Sequence, residues 1–158
     1  WNLLVTVGLE HYTAVLVVYM MQSLNEKMDN ESIRNLWLWH SIEETEHKAV
    51  AYDMYEYLYG KGLDAYIPRI AIFSLSLTLI TFMSFGFQFV LMARDKQLAN
   101  VKSWLKFGKF TLNSYSKLIP KFFSYYRMNF HPNETDEAEL VKITKAKIGL
   151  DEQIKLLN

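Results

Sequence analysis

Two imidazoles and two carboxylates recur at helical spacing in one stretch of the chain. They are His40, Glu43, Glu44 and His47, at positions i, i+3, i+4 and i+7. On an α-helix these four share a face. Trp37, Trp39, Val50 and Ala51 surround them, a setting that implies burial. Desolvating two carboxylates is costly unless positive charge stands beside them, and a divalent metal ion supplies it directly. Glu44-x-x-His47 is also the i, i+3 pattern that two helices each contribute to dimetal carboxylate bundles, whose other two helices each give one Glu.

Glu10 is the matching single Glu, the one charged residue between positions 1 and 25. Glu10, Glu44 and His47, with His40 beside them, are therefore the expected metal ligands, half of a dinuclear site. Carboxylates bridge ions and imidazoles complete them, a set that suits two divalent ions: iron first, manganese or zinc as alternatives. Glu43, left free of metal, is the expected general base towards a small-molecule substrate. Glu46 falls on the far side of the helix and is expected in solvent. His11 lies ~100° round from Glu10 and is expected to support or hydrogen-bond rather than ligate.

Half a site leaves a deficit. No second E-x-x-H occurs in the 158 residues. The other half is expected from a missing N-terminal segment or from a second subunit across a two-fold axis. The opening Trp1-Asn2-Leu3-Leu4-Val5 reads as the middle of an apolar helix and favours the upstream segment.

The elements that must carry these residues are all helical. Six Gly, three Pro and long uninterrupted stretches argue against an all-β fold. A nearly all-apolar helix is expected from residue 1 to about 23, which places it inside a bundle or in lipid. Asp29 or Asn30 should cap a second helix running to about Tyr59, where Gly60 and Gly62 stop it. A third begins near Asp64 or Tyr66 with Pro68 in its first turn. Residues 70–93 then carry no charge, 24 positions between Arg69 and Arg94. At ~1.5 Å per residue that is ~36 Å, enough to cross a bilayer. Ser74, Ser76, Thr78, Thr81, Ser84 and Gln88 make the stretch polar for such a role. A fourth helix is expected over residues 98–126, with a possible break at Pro120, and a short terminal helix capped by Asn133 or Thr135. The expected arrangement is one all-α domain. Residues 1–62 form the metal-ligand pair of a ferritin-like helical bundle, 63–131 the long apolar and basic aromatic helices, and 132–158 the terminal helix.

Charge is balanced overall, 17 basic against 17 acidic residues, but segregated. Residues 1–95 carry a net charge of −5, residues 96–133 carry +7 without one acid, and residues 134–158 carry −2. In the fourth helix Lys102, Lys106, Lys109, Lys117, Lys121 and Arg127 alternate with Trp104, Phe107, Phe110, Tyr115 and Phe122. Such a helix suits the headgroups of an anionic membrane, so a partner membrane or membrane surface is expected, and location at its cytoplasmic side or within it. No nucleic-acid motif accompanies the basic residues, and nucleic acid is not an expected partner. The absence of Cys excludes disulfides, thiol catalysis and cysteine metal sites.

Three stretches together resemble a known family. Leu9-Glu10-His11-Tyr12-Thr13-Ala14, the block from Trp39 to Asp53, and Phe130-His131-Pro132 look like the bacterial family labelled "predicted metal-dependent hydrolase", itself similar to ferritin-like dimetal proteins. The resemblance implies metal ligation by Glu10, Glu44 and His47, with His40 and Glu43 next to the site, and hydrolysis. It also implies an upstream region with further Glu and His. Two other classes stay open on chemistry: a di-iron oxidase or oxygenase on the same ligands, with Tyr12, Tyr19, Tyr52 and Tyr55 around them, and a non-enzymatic membrane-associated helical module.

Overall fold

A computed structural model describes residues 2–150 of the chain; Trp1 and residues 151–158 lie outside them. Among the described residues the protein is all-α, without a strand. The helices are α1 (Asn2–Tyr19), α2 (Glu31–His47), α3 (Val50–Tyr59), α4 (Leu63–Arg94), α5 (Val101–Ser124) and α6 (Ala138–Lys147).

The apolar all-round character of α1 has a direct consequence: it is the central helix. Val7, Val15 and Tyr19 join Tyr52 and Tyr55 of α3, Phe73 of α4 and Leu118 and Phe122 of α5 in one core cluster. Val18 and the following Met21 pack on Leu38 and Ile42 of α2 and Val141 of α6 in a second. α4 packs against α1 at Gly8, where a Cβ would make ordinary van der Waals contact, 3.5 Å from the Phe73 backbone.

Helix ends follow local chemistry, with corrections to the expected bounds. α1 loosens into a π-helical turn, Met20–Leu24, before the polar connection. Asn30 caps α2 by accepting the Ile33 N–H at 3.1 Å. The expected single helix to Tyr59 is instead two, broken at Lys48 and Ala49. Gly60 closes α3 with φ at +74°, where its N–H donates to the Glu56 carbonyl; that backbone conformation favours glycine. Pro120 does not break α5. It sits on the exposed side, and Ser116, whose carbonyl the ring deprives of a donor, is exposed as well. Neither Asn133 nor Thr135 caps the terminal helix. Residues Pro132–Glu134 form a 3-10 turn of their own, capped by His131, and α6 starts after Glu137. Proline at the first position suits that turn, and the imidazole Nδ1 accepts the Asn133 N–H.

Candidate functional site

The α1–α2 contact brings the expected ligands into one neighbourhood. Glu10 is half-buried on α1, and Glu44 is half-buried on the facing side of α2. Thr13, one turn after Glu10, places its hydroxyl 3.1 Å from Glu44 Oε2 and 3.1 Å from the Glu10 backbone carbonyl. His40 Nε2 lies 3.7 Å from the other carboxylate oxygen of Glu44. Glu44 is thus held on one oxygen by a hydroxyl from α1, while the imidazole from its own helix stands near the other, beyond hydrogen-bond distance.

Electrostatics tie Glu10 to the pair. Burial raises its pKa above the usual carboxylate value, the charge of Glu44 raises it further, and His47 pulls the other way. Two carboxylates from different helices therefore compete for one region of low polarity, with an imidazole partly compensating.

The remaining residues of this face are distributed as follows. Glu43 is half-buried and makes no hydrogen bond or ion pair among the described residues. His47 is exposed at the end of α2. Glu46 points away, as expected, and is exposed; Lys145 of α6 pairs with it at 2.7 Å. Burial by the surrounding apolar residues is corrected: Trp37 and Trp39 are each 43% exposed and Val50 is exposed too.

The donor set has the chemistry of a divalent-metal site, oxygen and imidazole nitrogen with like-charged carboxylates in need of a cation. The geometry is open: among the described residues no group of three or more His, Asp or Glu is close enough to hold a metal ion. The residues fit a metal in kind.

A family model described as "Predicted metal-dependent hydrolase" matches residues 1–136. The chain belongs to this family. No curated protein and no solved structure matches it.

In this member of the predicted metal-dependent hydrolases, two further groups escaped the reading of the sequence. His11 turns away from Glu10 into the core, stacking on Tyr125 at 4.8 Å between ring centroids, with Phe130 edge-on at 4.9 Å. Burial drives its pKa down to about 4, against the opposing pull of the Lys121 carbonyl, so the ring is neutral. Its Nε2 has no hydrogen-bond partner, and it lines a cavity of about 250 Å³ with Lys48, Lys121, Arg127 and His131. The expected support of the Glu10 face is thus replaced by ring packing in the core.

Arg69 is the second. It is 3% exposed, and its guanidinium lies 4.7 Å from the centre of the Tyr125 ring, with Tyr52, Tyr66 and Phe130 also within 6 Å. Its Nη2 donates to the Arg127 carbonyl at 2.9 Å. An arginine at the edge of an apolar run reads as a helix-end charge. Only the fold shows that Tyr52 of α3 and the distant Tyr125 and Phe130 join its own helix's Tyr66 in closing over it.

Proposed function

We propose that this protein is a metal-dependent hydrolase whose metal is held by Glu10, Glu44 and His47, with His40 beside them. One observation carries the reading: the Thr13 hydroxyl, one turn on from Glu10, stands 3.1 Å from Oε2 of Glu44. α1 and α2 thus bring two half-buried carboxylates into one neighbourhood, where burial first and the Glu44 charge second raise the proton affinity of Glu10. A fold keeps such repulsion when a cation offsets it. The family supports metal dependence and hydrolysis in general terms.

When bound, a divalent ion supplies Lewis-acid polarisation of a carbonyl or phosphoryl oxygen and raises the acidity of a nearby water. The protein's own residues do the rest. Thr13 holds one oxygen of Glu44 and His40 approaches the other, which orients the carboxylate for ligation. Glu43, without a partner of its own among the described residues, accepts the proton of the attacking water and returns it to the leaving group.

Glu10, Glu44, His47 and His40 are too few to enclose two ions, each of which takes four to six donors. We infer that a ferritin-like bundle is completed by a partner segment or a second copy carrying a further Glu and a further E-x-x-H. Trp37, which shares the His40–Glu44 side of α2 and is part-exposed, borders the surface such a partner would cover.

Metal analysis of the full-length protein, purified without chelator, tests the reading. Stoichiometric iron, manganese or zinc that is lost in Glu44→Ala and His47→Ala supports it. A folded protein with less than about a tenth of an equivalent of any transition metal overturns it, since a two-ion carboxylate site fills well beyond that. Iron accompanied by an oxo-bridge absorption would replace hydrolysis with oxygen chemistry on the same ligands.

A further inference from the structure

We propose that α4 and α5 seat this protein on the surface of an anionic lipid bilayer, lying in the interface and not crossing it. α1 through residue 23 and α4 are both long and apolar enough to span a membrane by length and composition. α1 is largely committed to the protein core, whereas the most apolar window of α4 is almost wholly unburied.

The polarity of α4 is inverted relative to a helix in water. Leu75, Leu79, Phe82, Met83, Phe87 and Val90 recur at helical spacing and all face outward, Phe82 at 72% and Phe87 at 65% exposure. Its polar residues Thr81 and Gln88 are half-buried and, with the more exposed Ser84 and the apolar Leu77 and Phe85, line a cavity with Thr111 and Tyr115 of α5. A water-facing helix places these two sets the other way round. Apolar residues outside and hydroxyls inside are what a helix touching hydrocarbon requires.

α5 decides between spanning and lying flat. Phe85 of α4 meets Phe107 and Tyr115 of α5, at 5.9 and 6.5 Å between ring centroids. Residue 85 therefore shares its level with Lys106 and Lys109, which flank Phe107 within a turn. A bilayer that swallowed the middle of α4 would swallow these lysines at roughly the same depth, where each is strongly disfavoured. Along α5, Val101, Leu105 and Leu112 form an exposed apolar row; Lys102 and Lys106 stand one position on, ~100° round the helix, and Lys109 borders the row ~40–60° round on the same side. That is the section of an interfacial helix, apolar below and cationic at the headgroups. Charge commits the surface to anionic lipid, because residues 96–133 carry seven bases and no acid.

The test is flotation of the full-length protein with phosphatidylcholine vesicles, with or without phosphatidylglycerol. The expected result is binding to the anionic vesicles and little to the neutral ones. Lys102→Gln/Lys106→Gln/Lys109→Gln should weaken it about a hundredfold, three surface cations each contributing near fivefold. Phe82→Ser/Phe87→Ser should abolish the part that survives high salt. Both variants alter exposed side chains, and an unchanged far-UV circular dichroism spectrum confirms that they fold. Trp104, exposed on α5, should be quenched by shallow and not by deep lipid quenchers. Deep quenching with resistance to carbonate extraction would mean spanning and overturn the proposal. So would failure to bind anionic vesicles, whether the protein is a soluble monomer or an oligomer in which the outer face of α4 is protected.

Discussion

The hydroxyl of Thr13 stands 3.1 Å from Oε2 of Glu44 and so fastens the central helix to the helix that carries E-x-x-H. Thr13→Val keeps the shape and removes the bond. Metal affinity should fall roughly 10–100-fold, the usual effect of losing a group that orients a ligand carboxylate. Titration calorimetry of the full-length protein checks this. Glu44→Ala and His47→Ala should abolish binding outright, whereas Glu46→Ala, on the Lys145 side, should leave it unchanged. Equal loss in all three would show that the wrong face has been assigned.

Glu10→Gln separates stability from ligation. Burial and Glu44 both raise the Glu10 pKa, so its charge opposes folding at neutral pH in the metal-free protein. The amide should therefore stabilise the metal-free form, by no more than about 1 kcal/mol because water screens the half-buried pair. It should at the same time erase the rise in Tm on adding metal. A metal-free variant less stable than wild type would contradict the repulsion.

Alkaline pH should loosen the core at Tyr52. Burial pushes its hydroxyl up to about 12, against the opposing effect of Arg69, and it donates to the Phe130 carbonyl at 2.5 Å. The folded state holds the proton that the unfolded chain releases near pH 10. The contribution is complete below that value and is lost as pH rises towards 12, a loss of roughly 2 kcal/mol. Urea denaturation across this range should show the decline, and Tyr52→Phe should flatten it at some expense in stability at pH 7.

Arg69→Ala should lower the unfolding free energy by roughly 3 kcal/mol, through the lost ring contacts and the space left behind. Lysine should restore little, since it lacks the planar face that stacks on Tyr125. A drop under about 1 kcal/mol in chemical denaturation would show that the rings do not depend on the cation.

The helices, and the contact between Glu44 and the turn of α1 that follows Glu10, were legible because each rests on local periodicity and on residues rare in their surroundings. Asn30, Gly60 and the acid-free basic stretch could be read for the same reason. The break at Lys48–Ala49 could not: both residues favour helix, and what holds the ends apart is made by distant partners. Trp37 and Trp39 suggest burial by residue type, but exposure depends on which helix lies opposite. The roles of His11 and Arg69 were hidden for a related cause, since their ring partners Tyr125 and Phe130 come from the far end of the chain.

The break between α2 and α3 is bridged from outside. Lys48, at the joint, donates to the Thr135 carbonyl and pairs with Glu137, while Asp53, one turn into α3, accepts from His131 at 2.8 Å. His131 must carry its proton on Nε2, because Nδ1 already accepts the Asn133 N–H. Residues 131–137 therefore act as a splint, and the bending stiffness of the joint beside His47 is set by side chains 78 to 89 positions away. A single proteolytic cut in that splint would leave every proposed ligand in the chain and still unclamp the helix end that aims His47.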